Sequence, residues 1–205
     1  MAHVMKFTHK AIPNILRHNE RSIINSSNPD IDCSYSHLNY QLSPERGMSA
    51  YSYYQDRKSE LHVYNRADVK TMAGWIVTAP KDLSPEQHEG FFAETYKFLE
   101  HRYGGEKNVV QAIVHLDESQ PHLHFCFIPA APDLKHGGEK VCANDVLNRR
   151  ELRDFHPALQ KHLTDAGINV RVLNGATANG NMTVRELKAQ RESKHQYDYE
   201  RGVNF

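Results

Sequence analysis

The chain has 205 residues, enough for one domain with a buried core and too few for two domains of ordinary size. Its 25 Lys and Arg residues balance 25 Asp and Glu residues, and this net charge of zero argues against a protein that only coats nucleic acid. The three cysteines show no CxxC spacing and no apolar stretch approaches ~20 residues, which excludes a zinc ribbon, a disulfide framework and a membrane-spanning helix.

The first half of the chain mixes short strand and helix patterns. We predict strands over 3–8, 36–42 and 74–79, helices over 11–21 and 51–69, and a polar loop over 25–33. Pro13 falls in the first turn of the first helix, where proline is tolerated. Leu38, Tyr40 and Leu42 alternate with polar residues, which predicts that these three side chains share the buried face of the second strand.

The second half begins with a capping-box pattern, in which Ser84 and Gln87 stand three residues apart. After it we predict a helix that stops at Gly104, strands over 109–115 and 122–128, a loop over 130–140, a helix over 149–166 and an edge strand over 168–173. Pro157 must kink the last helix or mark its restart, and Gly167 is its expected C-cap. The pattern predicts few helices around the strands, and the strongest pair of strands forms a hairpin. It therefore favours an α+β fold with an antiparallel central sheet flanked by helices.

The domain organisation follows from where these patterns end. One domain is predicted over 1–173, and the Asn- and Gly-containing stretch after it predicts a flexible linker. A detached helix and a loose tail are expected in the rest of 174–205, which we interpret as the start of a region that continues in a longer protein. Because no membrane segment is predicted, we expect the protein in the cytoplasm.

The most informative feature is a group of histidines at the turn of the predicted hairpin. Side chains alternate along a strand, so His122 and His124 share one face while Phe125 and Phe127 point into a core. His115, at the facing end of the partner strand, can join the first two. Three neutral imidazoles suit a borderline divalent ion such as manganese, zinc, nickel or cobalt, and they leave coordination positions open for a substrate.

Such an ion supports two kinds of chemistry. It can activate a bound water, which would make the protein a metallohydrolase, or it can polarise a substrate that a protein nucleophile attacks. The chain offers His18 and Tyr40 as nucleophiles. A phenol of pKa about 10 on a buried strand face is more often a core residue than an attacking group, which counts against Tyr40.

Three motifs, in their order and spacing, closely resemble those of the MobV (Mob/Pre) relaxases of mobilizable plasmids and integrative elements. They are His18-Asn-Glu-Arg21, Ser36-His-Leu-Asn-Tyr-Gln-Leu42 and His115-x-Asp-Glu118-x-x-Pro121-His122-x-His124. The resemblance covers about residues 10–173.

The resemblance implies an HUH-type relaxase fold for the predicted domain, with an ion at the centre of the sheet. Relaxases of this type nick one DNA strand at an origin of transfer and stay covalently attached to the 5′ phosphate, which initiates conjugative mobilization. His18 matches the nucleophile, and Glu118 matches the acid of the third motif. The implied metal ligands are His115, His122 and His124.

The resemblance also implies a cofactor and partners. Manganese is the favoured ion, with magnesium, zinc, nickel and cobalt as alternatives. The expected partner is origin-of-transfer DNA, single-stranded or as a hairpin within a supercoiled plasmid. A homodimer formed through a further C-terminal region is a second expected partner. Candidate DNA-binding residues are Arg17, Arg21, His37, Asn39 and Arg66.

The acidic residues near these motifs are candidates for supporting roles. A histidine nucleophile needs one unprotonated ring nitrogen and an orienting group on the other. Glu118 is the favoured orienter or base and Glu20 the alternative, whereas Asp117 is expected either to fix a histidine ligand or to cap the turn.

Two other functions fit the same histidines. One is a tri-histidine metallohydrolase that uses activated water on a small molecule or a phosphodiester. The other is a non-catalytic DNA-binding module with a structural metal, which would need a fourth protein ligand. The nearest cysteine, Cys126, is better interpreted as apolar filling on its strand.

Overall fold

The structure, a computed structural model, describes residues 2–23 and 30–172. The predicted linker, helix and tail after residue 173 lie outside these ranges, as does most of the predicted polar loop over 25–33. The described residues belong to one unit that ends at Val172. Within them, no helix has both the length and the apolar character needed to cross a membrane.

Five strands form an antiparallel sheet in the order β1-β3-β5-β4-β2. They are β1 (Ala2–Thr8), β2 (Tyr40–Gln41), β3 (Lys70–Thr78), β4 (Val109–His115) and β5 (His122–Phe127). Every residue of β4 is buried, because helices cover both faces of the centre of the sheet. A second, two-stranded sheet pairs β6 (Ala130–Pro132) with β7 (Glu139–Val141).

Five α-helices surround these strands within residues 2–23 and 30–172. They are α1 (Ile12–Asn19), α2 (Ala50–Ser59), α3 (His88–Arg102), α4 (Ala143–Val146) and α5 (Arg149–Asp165). Aromatic and aliphatic side chains of α3 and α5 pack with Val114, Leu123 and Phe125 in the larger core. Side chains of α1 and α2 pack with Cys126 and Val110 in a smaller core on the other face. The sheet is therefore sandwiched between two pairs of helices.

The predicted strand over 36–42 is wrong over most of its length. Cys33–Leu38 forms 3₁₀ turns, and only Tyr40–Gln41 pairs with β4. The Asp32 carboxylate accepts the backbone N–H of Ser34, and this side-chain bond stabilises a turn where alternation indicated a strand. Leu38 is 44% exposed, so it does not share a buried face with Tyr40.

Other boundaries also differ from the sequence predictions. The predicted helix over 51–69 ends at Ser59, because the backbone of His62 pairs with β7. The predicted loop over 130–140 contains the β6–β7 hairpin. Residues 168–172 form no strand, since the Gln160 side chain bonds the backbone of Val170 and Val172. Helix α5 runs through Pro157 without a restart.

Candidate active site

Three imidazoles converge at the centre of the sheet, as the strand pattern predicted. His115 on β4 lies directly opposite His122 on β5, and His124 follows two residues later on the same face. The ring centroids are 4.5 to 5.2 Å apart, and one nitrogen from each ring lies within 4.8 Å of the others. Leu123 and Phe125 point to the opposite face and are fully buried in the larger core.

Main-chain carbonyls fix the orientation of two of these rings. The Nε2–H of His115 donates to the Asn19 carbonyl at 2.8 Å, and the Nδ1–H of His122 donates to the Gln120 carbonyl at 2.9 Å. In the neutral form of each ring the other nitrogen carries a lone pair, which is how second-shell bonds prepare histidine ligands. The Nδ1 of His115 is buried and makes no hydrogen bond to any described residue.

The remaining distances fit a divalent ion. The Nε2 atoms of His122 and His124 are 2.9 Å apart. Two nitrogens that bind one ion at about 2.1 Å and at right angles to each other are about 3 Å apart. Burial lowers the pKa of His115 to about 4, and desolvation lowers the pKa of His124 well below its usual value. Both rings are therefore neutral at pH 7, as metal ligands must be.

Helix α1 brings His18 to this pocket. Ile12 and Leu16 anchor the helix in the smaller core, and the buried Asn19 side chain donates to Gln111 on β4 at 2.9 Å. The His18 ring stands 6.3 Å from the ring of His124, with the two planes nearly perpendicular. Burial lowers the pKa of His18, and the nearby charge of Arg21 lowers it further. His18 thus has an available lone pair at neutral pH.

Arg21 links the end of α1 to the turn between β4 and β5. Its guanidinium donates to both oxygens of Asp117 at 2.7 and 2.8 Å and to Glu118 at 2.7 Å. Its backbone has φ 55, a left-handed conformation that costs energy for a residue other than glycine. Burial alone would raise the pKa of Asp117, but the hydrogen bonds from Arg21 and Ser36 outweigh it and lower that pKa.

Glu118 faces the imidazoles as well as Arg21. Its Oε1 lies 3.9 Å from the Nδ1 of His115 and 3.9 Å from the Nε2 of His122. Its negative charge also favours the protonated form of His18. The structure thus brings Glu118 and His18 to the same pocket.

Tyr40 lies on the other side of the sheet. It is paired with Val114, whose side chain points away from His115, and it packs against the larger core. Its buried hydroxyl makes no hydrogen bond within the part of the chain that the structure describes, and burial raises its pKa to about 12. Glu20 accepts a 2.9 Å hydrogen bond from Gln111.

Three of the five candidate DNA-binding residues are exposed. Arg17 lies on α1 next to His18, and among the described residues its side chain bonds only residues of its own helix. His37 caps its 3₁₀ turn, with its Nδ1 2.8 Å from the Ser34 carbonyl. Arg66 precedes β3 and pairs with Asp68 at 2.8 Å. Their DNA contacts stay predictions.

The other two candidates are held inside the protein. Arg21 is engaged by the two carboxylates of the turn. The Oδ1 of Asn39 accepts the backbone N–H of Leu116 at 2.7 Å. Both residues therefore support the turn of the histidine hairpin, whatever they contact in a complex.

The sequence did not single out several residues that shape the site. Ser36 donates to Asp117 at 2.7 Å, and Gln111 joins Asn19 to Glu20. His3 on β1 lies opposite Ile76, which itself lies opposite His124, so His3 is on the histidine face and is separated from β5 by β3. For Gln111, the sequence contained a signal. It is a polar residue four positions before His115 on the same strand, so its side chain is expected on the same face as that of His115.

Comparison with known proteins identifies the family. Residues 1–189 match the family model of the plasmid recombination enzymes, Mob/Pre. The chain belongs to this family. The predicted MobV (Mob/Pre) membership is thereby confirmed.

Relatives in this family are longer than the chain. A plasmid recombination enzyme from Lactiplantibacillus plantarum is 31% identical over 212 residues, covering 98% of this chain and 56% of the relative. One from Streptococcus agalactiae is 35% identical over 162 residues, covering 75% of this chain and 31% of the relative. The chain thus spans about half or less of the length of these relatives.

Solved structures of a family member are similar over nearly the whole chain. A Mn-bound crystal structure at pH 5.5 of the MobM relaxase domain with pMV158 oriT DNA is 31% identical, with a TM-score of 0.76 over 93% of this chain and 98% of that one. A second structure, with a 3′-thiophosphate on the DNA, is 32% identical with a TM-score of 0.74 over 93% and 97%. The predicted α+β, relaxase-like fold is confirmed.

Proposed function

We propose that the chain is a metal-dependent DNA relaxase, a site- and strand-specific transesterase that nicks an origin of transfer and attaches to the 5′ phosphate. This step would initiate conjugative mobilization. The observation that carries the proposal is the His18 ring, which stands 6.3 Å from His124 at the edge of a three-imidazole pocket. The Mn-bound, oriT-bound structures of MobM support it.

His115, His122 and His124 are the proposed ligands of the ion. Manganese is favoured because the similar MobM structures are Mn-bound, and three nitrogen donors disfavour magnesium, which prefers oxygen ligands. When bound, the ion supplies positive charge for the non-bridging oxygens of the scissile phosphate.

His18 is the proposed nucleophile. Its unprotonated ring nitrogen attacks phosphorus, so a nitrogen–phosphorus bond forms while the bond from phosphorus to the 3′ oxygen breaks. The departing oxygen takes a proton from solvent and becomes a 3′-hydroxyl. The other ring nitrogen keeps its proton, and the Glu118 carboxylate stabilises the imidazolium that develops. The phosphoramidate conserves the bond energy for later strand closure.

Three observations favour His18 over Tyr40. Tyr40 is paired with Val114 on the opposite face of the sheet from the imidazoles. Its hydroxyl is buried, and its pKa of about 12 leaves very little phenolate at neutral pH. The lowered pKa of His18, in contrast, keeps its attacking nitrogen unprotonated.

A nicking assay tests the proposal. Supercoiled plasmid that carries the native DNA flanking the coding region is incubated with manganese and wild-type protein, His18→Ala or Tyr40→Phe. We expect nicking with protein attached at the 5′ end for the wild type and Tyr40→Phe, and loss of the adduct with retained DNA binding for His18→Ala. An acid-labile adduct supports nitrogen as the attachment atom, whereas an acid-stable adduct lost in Tyr40→Phe overturns the assignment of His18.

The same assay separates the other functions. Nicked DNA without attached protein would support the metallohydrolase, and retarded DNA without any nicking would support the binding module. Either result contradicts a relaxase. The metallohydrolase gains no support from the position of His18, because activated water needs no histidine facing the pocket.

The proposal also covers the DNA partner, the place of action and self-association. Origin DNA is proposed to bind as a single strand or hairpin along the exposed side chains of Arg17, His37 and Arg66. The proposed place of action is the cytoplasm, where the plasmid lies. Self-association through the additional length of the longer relatives is tested by sedimentation of chains with and without that region.

A further inference from the structure

A second group of metal-binding side chains lies away from the histidine hairpin. His62 follows α2, and Asp133 and His136 belong to the turn between β6 and β7. One donor atom from each of the three lies within 4.8 Å of the others. The rings of His62 and His136 are stacked, with centroids 4.4 Å apart. None of the three belongs to the motifs that carry the family resemblance.

The backbone holds these side chains in place. The N–H of His62 donates to the Glu139 carbonyl at 3.0 Å, and the N–H of Val141 donates to the His62 carbonyl at 2.9 Å. In the turn, the N–H of Asp133 donates to the Gly138 carbonyl at 2.9 Å. Gly138 has φ 73, a conformation that glycine adopts at little cost. Main-chain hydrogen bonds therefore already bring the donors together, and no loop has to rearrange to form the cluster.

One ring nitrogen of these histidines has no partner. The Nε2 of His62 is buried and makes no hydrogen bond anywhere in the described part of the chain. A buried polar atom without a partner is costly, so such an atom in a native structure calls for a ligand, a water or an ion.

The Asp133 carboxylate uses its two oxygens differently. Its Oδ1 accepts the backbone N–H groups of Lys135 and His136 at 3.1 and 3.2 Å, which caps the turn. Its Oδ2 lies 2.9 Å from the Nδ1 of His136, inside the cluster. Asp133 is only 4% exposed. A cation at the cluster would neutralise this buried carboxylate and give His62 a partner.

We propose that His62, Asp133 and His136 bind a second divalent ion that ties the β6–β7 hairpin to the segment after α2. Two imidazoles and one carboxylate suit zinc, nickel, cobalt or copper, and they disfavour calcium and magnesium, which take mainly oxygen ligands. Water would complete the coordination.

The expected role of this ion is structural. His62 and the Asp133 turn are about seventy residues apart in the chain, so one ion would cross-link two distant segments. The segment after α2 continues through Tyr64, whose ring meets His62 edge-on at 5.0 Å, to the exposed Arg66. The ion would thus fix the path of the segment that carries Arg66.

Metal stoichiometry tests the site. Tag-free, metal-free full chain is titrated with zinc by calorimetry, for the wild type, His136→Ala, Asp133→Asn and His124→Ala, with His101→Ala as a control at an exposed histidine outside both groups. We expect two tight equivalents for the wild type and His101→Ala, and one for His136→Ala and for His124→Ala. Asp133→Asn keeps an oxygen that can cap the turn and should weaken one site by at least about tenfold.

Two results would overturn the proposal. One is a single tight equivalent in the wild type that persists in His136→Ala and is lost in His124→Ala, which would mean that Asp133 and His136 only cap the turn. The other is two equivalents that persist in His136→Ala while circular dichroism shows a folded protein. An anomalous difference map at the zinc edge, from zinc-soaked crystals, should show a peak between His62 and His136, and a flat map there counts against the site independently of any variant.

Discussion

The Nε2–H of His115 donates a 2.8 Å hydrogen bond to the main-chain carbonyl of Asn19. This bond joins a proposed metal ligand in the middle of the sheet to the last turn of α1, one residue after the proposed nucleophile. The proposed ion ligand and the proposed nucleophile are therefore positioned by the same contact. A shift of α1 would move His18 and would also break the hydrogen bond that fixes the tautomer of His115.

The Asn19 side chain provides a test of this coupling. Its Nδ2 donates to Gln111 at 2.9 Å and contacts the sulfur of Cys126, so Asn19→Ala removes the polar anchor of α1. We expect a loss of about 1–2 kcal/mol in the free energy of unfolding and a fall in the nicking rate with metal affinity reduced. Urea unfolding, nicking and metal titration measure these effects. Asn14→Ala, at an exposed position of the same helix, should leave the free energy of unfolding and the metal affinity unchanged.

Arg21 is predicted to position the acidic turn. Arg21→Lys keeps a positive charge but cannot donate simultaneously to Asp117 and Glu118 as the guanidinium does. Because the Asp117 carboxylate is buried, we expect a destabilisation of about 1–3 kcal/mol and a nicking rate reduced at least about tenfold. Unchanged nicking in a destabilised Arg21→Lys protein would show that the ion pair serves folding alone.

The sequence predicted the histidine hairpin well because its signal is local. Alternation along β4 and β5 determines which side chains share a face, and two antiparallel strands joined by a short turn must bring His115 opposite His122. The capping box before α3 was equally local, and the structure has it. The resemblance to the family favoured His18 over Tyr40 as the proposed nucleophile, a choice that no periodicity could have indicated.

The errors arose where side chains bond the backbone or where contacts are distant in sequence. Asp32 stabilises a 3₁₀ turn within an alternating pattern, and Gln160 satisfies backbone groups that an edge strand would have used. His62 and His136 meet only because the segment after α2 pairs with β7. Their separation along the chain gave no motif to recognise.

Salt dependence tests the proposed DNA contacts. Each phosphate contact contributes to the slope of log K against log salt, so Arg17→Ala and Arg66→Ala should each weaken binding and reduce that slope by about 1. Fluorescence anisotropy with a labelled single strand measures it. Arg153→Ala is the control, since Arg153 is exposed on α5, which covers the other face of the sheet. If Arg17→Ala and Arg66→Ala keep the wild-type slope, as the Arg153→Ala control should, phosphate contacts by Arg17 and Arg66 are excluded.

Tyr103 is predicted to hold α5 against the sheet. Its hydroxyl accepts from the Trp75 indole at 2.8 Å and donates to Glu151 at 2.8 Å. Tyr103→Phe leaves the buried indole N–H without a partner, so we expect a loss of about 1–3 kcal/mol of unfolding free energy. Trp75 is the only tryptophan, and its fluorescence reports the transition directly. Tyr35→Phe, at an exposed tyrosine, should stay within about 0.5 kcal/mol of the wild type.

Removal of the metal should separate DNA binding from cleavage. The two cores that hold the sheet consist of apolar side chains, so a chelator should leave the circular dichroism spectrum intact. The unfolding temperature should fall only as far as the loss of the metal's binding free energy requires. Nicking should cease because nothing then neutralises the scissile phosphate, while binding through exposed arginines persists. Added manganese should restore nicking to the wild type but not to His122→Ala. Nicking that continues at full rate in chelator, with no metal detected in the protein, would contradict the role of the three imidazoles.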